Sequence, residues 1–220
     1  MTILNSSLKK AYIISDTHFG HEVPILKERY RMFSNTEEHD EYIVSTLNKL
    51  LNQDSILIHL GDVGDLETMS KVHGRKVLIK GNHDKLSNKK YLEVFEEIYN
   101  HPVFLNKRIL LSHIPEMVSP HILNIHGHLH ASYLDSKNHM TASIHMINYK
   151  PLTLRQVQSY IDKQLPKHET EFLYEWYADK QIFMERGRSD LVLNKDGKID
   201  LERTRELYKT TRGDRKEFLL

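Results

Sequence analysis

The chain has 220 residues, 39% apolar and 28% charged, which fits one large globular domain or one domain with an appendage. Lysine and arginine together number 31 and aspartate and glutamate 30, a balance that argues against a strongly basic nucleic-acid binder. No apolar run approaches the roughly 20 residues of a membrane helix, and the absence of cysteine excludes disulfides and thiolate metal sites.

Histidine is the outlier, with 15 residues. A metal site in such a chain must be built from imidazole, carboxylate and amide ligands. That mix suits manganese first, with iron, zinc or nickel also compatible, and fits copper(I) or calcium poorly. The start, "MTILNSSLKK", has too short an apolar stretch for a secretory signal, so a cytoplasmic location is expected.

In chain order, five segments read alike. "KKAYIISDTH" is an apolar run that ends at Asp16 and His18. "DSILIHLGD" ends at Asp62, and "RKVLIKGNHD" at Asn82, His83 and Asp84. "KRILLSHIP" ends at His113, and "HILNIHGHLH" at His128 and His130. Each run is short and rich in Ile, Leu and Val, and each is closed by Gly, Pro or a polar cluster. That is the pattern of a strand buried on both faces.

Helices are expected between them. "TEEHDEYIVSTLNKLL" offers Thr36 as a cap, acids in its first turn, and a stripe of Tyr42, Ile43, Leu47, Leu50 and Leu51. "KYLEVFEEIY" places Leu92, Phe95 and Ile98 or Tyr99 on one helical face. "MTASIHMINYKPL" reads as a further strand stopped before Pro151, and "TLRQVQSYIDKQL" as a helix with Leu154, Val157, Ile161 and Leu165 inward. Strands alternating with helices indicate an α/β layered fold. In such folds sites form at the carboxyl ends of strands, where all the polar clusters lie.

Residues 1–166 read as the functional domain and 167–220 as a charged C-terminal extension, a lid, packing strap or dimer arm. The extension contains a helix with the only tryptophan, Trp176, and a hairpin around Asp196-Gly197. Its aromatics, Phe172, Tyr174, Trp176 and Tyr177, suit packing better than base stacking. "NKDGKID" is not a calcium loop, because Val192 and Arg203 would fall at ligand positions one and twelve.

The strand ends hold what a two-metal hydrolase needs. Such a site places two divalent ions roughly 3.5–4 Å apart around one activated water. Asp16 and His18, two residues apart, point to one side of their strand end, as do His128 and His130. Asp62 is a lone carboxylate suited to bridging; Asp65 competes for that place, but Asp62 directly ends its apolar run. Asn82 offers an amide oxygen and His113 another imidazole. In the triplet 82–84, one residue would bind metal, one would transfer a proton and one would orient the second.

D-x-H, G-D, G-N-H-[DE], a lone His and G-H-x-H, in that order over about residues 11–150, resemble the calcineurin-like metallophosphoesterase family. With "SDTHFGH" at the front, the chain resembles its small bacterial and phage members. The resemblance implies a four-layered α/β/β/α sandwich of two mixed sheets. It implies that Asp16, His18, Asp62 and His130 hold one ion and Asp62, Asn82, His113 and His128 the second. His83 would be the general acid with Asp84 as its partner. A hydroxide between the ions would attack phosphorus in line while His83 protonates the leaving oxygen.

A small-molecule phosphodiester or phosphomonoester is the expected substrate. A nuclease comes next, although the near-neutral charge lacks a basic stripe, and a protein phosphatase third. A non-catalytic scaffold is the rival from another class, opposed by the complete ligand set and the acid. No membrane partner is expected, and a homo-oligomer is compatible with the sequence. His21 and Arg31 are candidate substrate contacts, a surface role being the alternative for each. His59 and His126 are expected behind the site or in the core, and His39, His101, His139 and His168 in solvent.

Overall fold

The computed structural model describes residues 4, 10–22, 33–130, 132 and 134–166. Arg31, His168 and the expected elements of the 167–220 extension lie outside the described residues.

The five apolar runs form strands. β1 (Ala11–Ile14), β2 (Ile56–His59) and β3 (Arg75–Ile79) lie side by side and parallel. β4 (Glu97–Tyr99) adds to β3 in parallel, and a two-residue strand near the end of the fold, Leu152–Thr153, pairs antiparallel with β1. In the second sheet, β5 (Val103–Asn106), β6 (Ile109–Leu111), β7 (Leu123–His126) and β8 (His139–Thr141) stand in sequence order. β5 runs antiparallel to β6, while β6, β7 and β8 are parallel. The Leu152–Thr153 strand is β9, and the first sheet has the order β4-β3-β2-β1-β9. The fold is α/β with two mixed sheets.

Alternation along the strands makes two apolar layers. One set, with Ile13, Ile58, Val77 and Ile79, shares a core with Ile109, Leu111, Leu123 and Ile125 of the second sheet. The opposite set, Ile14, Leu57 and Leu78, meets α1 (Thr36–Asn48) through Ile43 and Leu47 and α2 (Leu66–Ser70) through Met69. Each buried Ile or Leu contributes about 1.5–3 kcal/mol. This explains why the first-sheet strands are apolar on both faces. Among the described residues no helix is long and apolar enough to cross a membrane.

Several local expectations are corrected. Asn35, not Thr36, caps α1: its side chain accepts the Glu38 amide at 2.8 Å. Asparagine is the stronger cap, and its carbonyl reaches the third helical amide. Tyr42 and Leu50 belong to the expected stripe yet are exposed. "KYLEVFEEIY" is not one helix. α3 (Asn88–Tyr91) lasts a single turn, and Glu97–Tyr99 joins the open edge of β3. Tyr91 and Phe95 still reach the core, but Leu92 is 55% exposed. The sheet edge offers unpaired backbone groups, which outweigh a weak helical preference. The strand expected over "MTASIHMINYKPL" stops at Thr141, followed by one bridge from Ser143 to Ser15 and a turn.

The last helix, α4 (Leu154–Gln164), follows the sequence closely. Thr153 and Gln156 form a capping box, and Val157, Ile161 and Leu165 enter the core between the sheets. His39 is fully buried rather than solvated; its Nδ1 bonds Asp40 at 2.8 Å and its ring meets Phe33 edge-on. His139 is half-buried, holding Ser136 and the Glu116 carbonyl at 2.9 Å each. His101 is exposed, as expected.

Candidate metal centre

The turns that follow β1, β2, β3, β6 and β7 converge. The Asp16 amide donates to Gly61 and the His18 amide to Asp62, each at 3.0 Å, so the first two turns lie together. Asn82 Oδ1 lies 2.8 Å from His113 Nε2 and 2.9 Å from His128 Nδ1, which joins the third turn to both turns of the second sheet. The His128 amide donates to both oxygens of Asp16 at 3.1 Å, closing the ring.

Backbone conformation marks the same residues. Seven described non-glycine residues have positive φ, and five of them are Asp16 (58°), His18 (47°), Asp62 (57°), His128 (69°) and His130 (49°). Left-handed backbone at such residues costs on the order of 1–3 kcal/mol each and persists where the surroundings enforce it. Its concentration at one place points to a function for that place.

Asp16, His18, Asp62 and His130 each present a ligand atom, all within 4.8 Å of one another. His18 Nε2 lies 3.4 Å from His130 Nε2 and 3.6 Å from Asp62 Oδ2. A second group adjoins it: Asp62 Oδ2, Asn82 Oδ1, His113 Nε2 and His128 Nδ1. Here His113 Nε2 is 3.4 Å from Asp62 Oδ2. Donor atoms bound at about 2.1 Å to a common ion lie roughly 3–4 Å apart, near the separations found among Asp16, His18, Asp62 and His130. His113 Nδ1 donates to the Leu60 carbonyl at 2.8 Å, which turns Nε2 toward the group.

The Asp62 carboxylate tests whether a cation fits. Oδ1 accepts the His83 amide at 2.8 Å. Oδ2 is buried without a hydrogen-bond partner, and it stands beside both groups. A buried carboxylate oxygen in that state is costly unless a cation balances it. The buried Asp and His cluster is therefore suited to hold a metal ion. Glycine makes the approach feasible: a Cβ on Gly81 would overlap the Asp62 carboxylate and lie 2.6 Å from its amide. A Cβ on Gly127 would overlap the Ser15 hydroxyl and lie 2.6 Å from Asp16 Oδ2.

The electrostatics agree. Burial disfavours the charge on Asp62, yet the nearby His113 ring, the His83 amide and His18 outweigh it, holding its pKa well below the usual carboxylate range. Burial likewise opposes protonation of His113, but Asp62 and Asp16 raise its pKa. Burial and the neighbouring His113 charge lower that of His128. Protons and metal ions compete for these nitrogens.

His83 is exposed beside the cluster, its ring 5.6 Å from that of His18. Asp84 is buried and accepts from the Gly81, Asp62 and Val63 amides and from the Tyr91 hydroxyl. Its carboxylate ties two turns together and makes no hydrogen bond to the His83 ring. Asp65 caps α2, accepting from the Thr68 amide and hydroxyl, so it does not compete with Asp62. His21 is exposed with Nδ1 3.4 Å from His18 Nδ1, where it can fix the orientation of that ring. Two residues had no sequence signal. The Ser143 hydroxyl donates to Asp16 Oδ2, and the His145 ring lies 5.7 Å from His130.

No family model matches the chain. It is 34% identical over 177 residues to an uncharacterized protein of Methanocaldococcus jannaschii, covering 71% of this chain and 94% of the archaeal one. The chain belongs to that protein's family. The gene 66 protein of Mycobacterium phage L5 is 30% identical over 86 residues, 35% of this chain and 41% of the phage protein. The crystal structure of a protein of unknown function from Aquifex aeolicus matches with a TM-score of 0.55 and 29% identity, covering 68% of this chain and 97% of that one.

Proposed function

We propose that this family member hydrolyses phosphate esters at a dinuclear metal centre, with a small-molecule diester or monoester as substrate. The observation that carries the reading is Asp62 Oδ2, a buried orphan oxygen flanked by His18 Nε2 at 3.6 Å and His113 Nε2 at 3.4 Å. Asp16, His18, Asp62 and His130 would hold one ion and Asp62, Asn82, His113 and His128 the other, manganese being the first choice. When bound, such ions act as Lewis acids on a phosphoryl group and lower the pKa of the attacking water.

The protein's own groups do the rest. Two dications carry four positive charges, and Asp16 and Asp62 remove two, leaving a site attractive to a phosphate anion. His83, exposed at the mouth, protonates the leaving oxygen. His21 steadies His18, and Asp84 holds the turn that carries Asn82 and His83. The four-layered α/β/β/α sandwich and a cytoplasmic setting belong to the same proposal.

The test is hydrolysis of bis-p-nitrophenyl phosphate and p-nitrophenyl phosphate by the full chain with added Mn2+. Turnover that chelation abolishes, with close to two ions bound per chain, is the expected result. The ratio of the two rates sorts diesterase from monoesterase. Failure to turn over either compound with both ions bound would favour a non-catalytic scaffold.

A further inference from the structure

His59 is the last residue of β2, fully buried between Ile14 of β1 and Leu78 of β3. A polar ring in an apolar strand is costly unless its nitrogens are satisfied. Here both are. The Gly61 amide donates to Nδ1 at 3.2 Å. Nε2 lies 3.0 Å from Thr17 Oγ1, and that hydroxyl donates to the Val63 carbonyl at 2.8 Å. A hydroxyl has one proton to give, so Nε2 carries the ring proton and donates to Thr17. Burial pushes the His59 pKa down to about 4, which keeps the ring uncharged at neutral pH.

The two partners occupy telling positions. Thr17 stands between Asp16 and His18. Gly61, itself at φ 92°, directly precedes Asp62. One ring thus touches both turns that supply three candidate ligands, each held in left-handed backbone. Leucine at position 59 would still pack against Phe95, whose ring centroid is 6.5 Å away. It would leave the Gly61 amide and the Thr17 hydroxyl without this partner.

We propose that His59 is a positioning residue for the metal centre, a buried cross-link that fixes the Gly61–Asp62 turn against the Asp16–His18 turn. The inference rests on the metal-centre reading above. It adds a residue three positions before Asp62 that ligates nothing yet sets ligand separation. Partners of this kind typically change metal affinity by about 10–100-fold when removed.

The experiment is calorimetric titration of Mn2+ into the metal-free full chain, without substrate, alongside thermal melts. His59→Leu and Thr17→Val should each weaken binding by about 10–100-fold while melting cooperatively. The double variant should be no weaker than His59→Leu alone, because both changes remove one link. His59→Gln, whose side-chain amide can still donate to Thr17, should recover part of the loss. Wild-type affinity in His59→Leu overturns the proposal. If that variant does not fold, wild-type affinity in Thr17→Val overturns it equally. Equal losses in His59→Leu and His59→Gln that follow their melting temperatures assign a merely structural role and also overturn it. A wild-type chain that binds no Mn2+ sinks this inference together with the proposed function, whereas binding in the wild type with unchanged variants sinks this inference alone.

Discussion

The Asp84 carboxylate accepts the Asp62 amide at 2.8 Å, across 22 residues of sequence. The same Oδ2 accepts the Gly81 amide at 2.7 Å, while Oδ1 takes the Val63 amide at 3.1 Å and the Tyr91 hydroxyl at 3.3 Å. Asp84→Asn replaces one of these acceptors with a donor that faces donors. A buried mismatch of this sort costs about 1–3 kcal/mol. The metal-free variant should melt lower and bind Mn2+ more weakly, as read by calorimetry. Wild-type melting and metal affinity with slowed turnover would return Asp84 to the role of partner for His83.

His83 contributes its amide to Asp62 and leaves its ring exposed. His83→Ala keeps that amide, so metal binding should stay near wild type. Turnover should fall by about 10²–10⁴-fold if the ring protonates the leaving oxygen. The loss should shrink on p-nitrophenyl esters, whose leaving groups need little protonation. An emptied metal position in the variant would show that His83 is a ligand instead.

Asp62→Asn keeps the size of the side chain and removes its charge. The flanking imidazoles then face a neutral amide, and a cation loses its compensating oxygen. Metal stoichiometry should drop, and turnover should disappear with it. Because His113, the His83 amide and His18 favour the Asp62 charge in the metal-free fold, the apo melting temperature should fall. Full metal loading of Asp62→Asn by elemental analysis would remove Asp62 from the bridge.

The five strands that carry the site were legible because burial on both faces demands uninterrupted Ile, Leu and Val, and because Gly or a polar cluster ends each run. The candidate ligands were legible for the same reason: Asp16, Asp62 and His113 are polar residues placed where an apolar strand stops. The work of Asp84 was not. Its side chain is adjacent to His83 in sequence, yet its partners are amides 21 and 22 residues away. Ser143 left no trace, since a serine after a short strand is unremarkable until the two sheets meet at Ser15. Nor does a sequence announce left-handed backbone at Asp16 or His128, where glycine would be the usual signal. The helix expected over residues 90–99 was misread because the open edge of β3 captures Glu97–Tyr99, a choice made by tertiary contacts.

His59 also links the fold to pH. Its ordinary pKa of 6.5 falls to about 4 in the folded chain, chiefly through burial. Between these values the unfolded chain takes up a proton that the folded chain refuses. The unfolded state then binds more protons, so stability rises with pH across this window. The contribution is complete above about pH 6.5, where neither state is protonated, and is lost as pH falls toward about 4. Its full size is roughly 3 kcal/mol. His113, with its raised pKa, works the other way, whereas Asp62, with its lowered pKa, loses stabilisation only below its ordinary value of 3.8. A comparison of wild type with His59→Gln, both metal-free under chelator, cancels those common contributions. Denaturant unfolding from pH 7 to pH 4.5 should show the wild type losing about 2–3 kcal/mol more than the variant. Parallel stability curves would mean that the buried ring does not resist protonation.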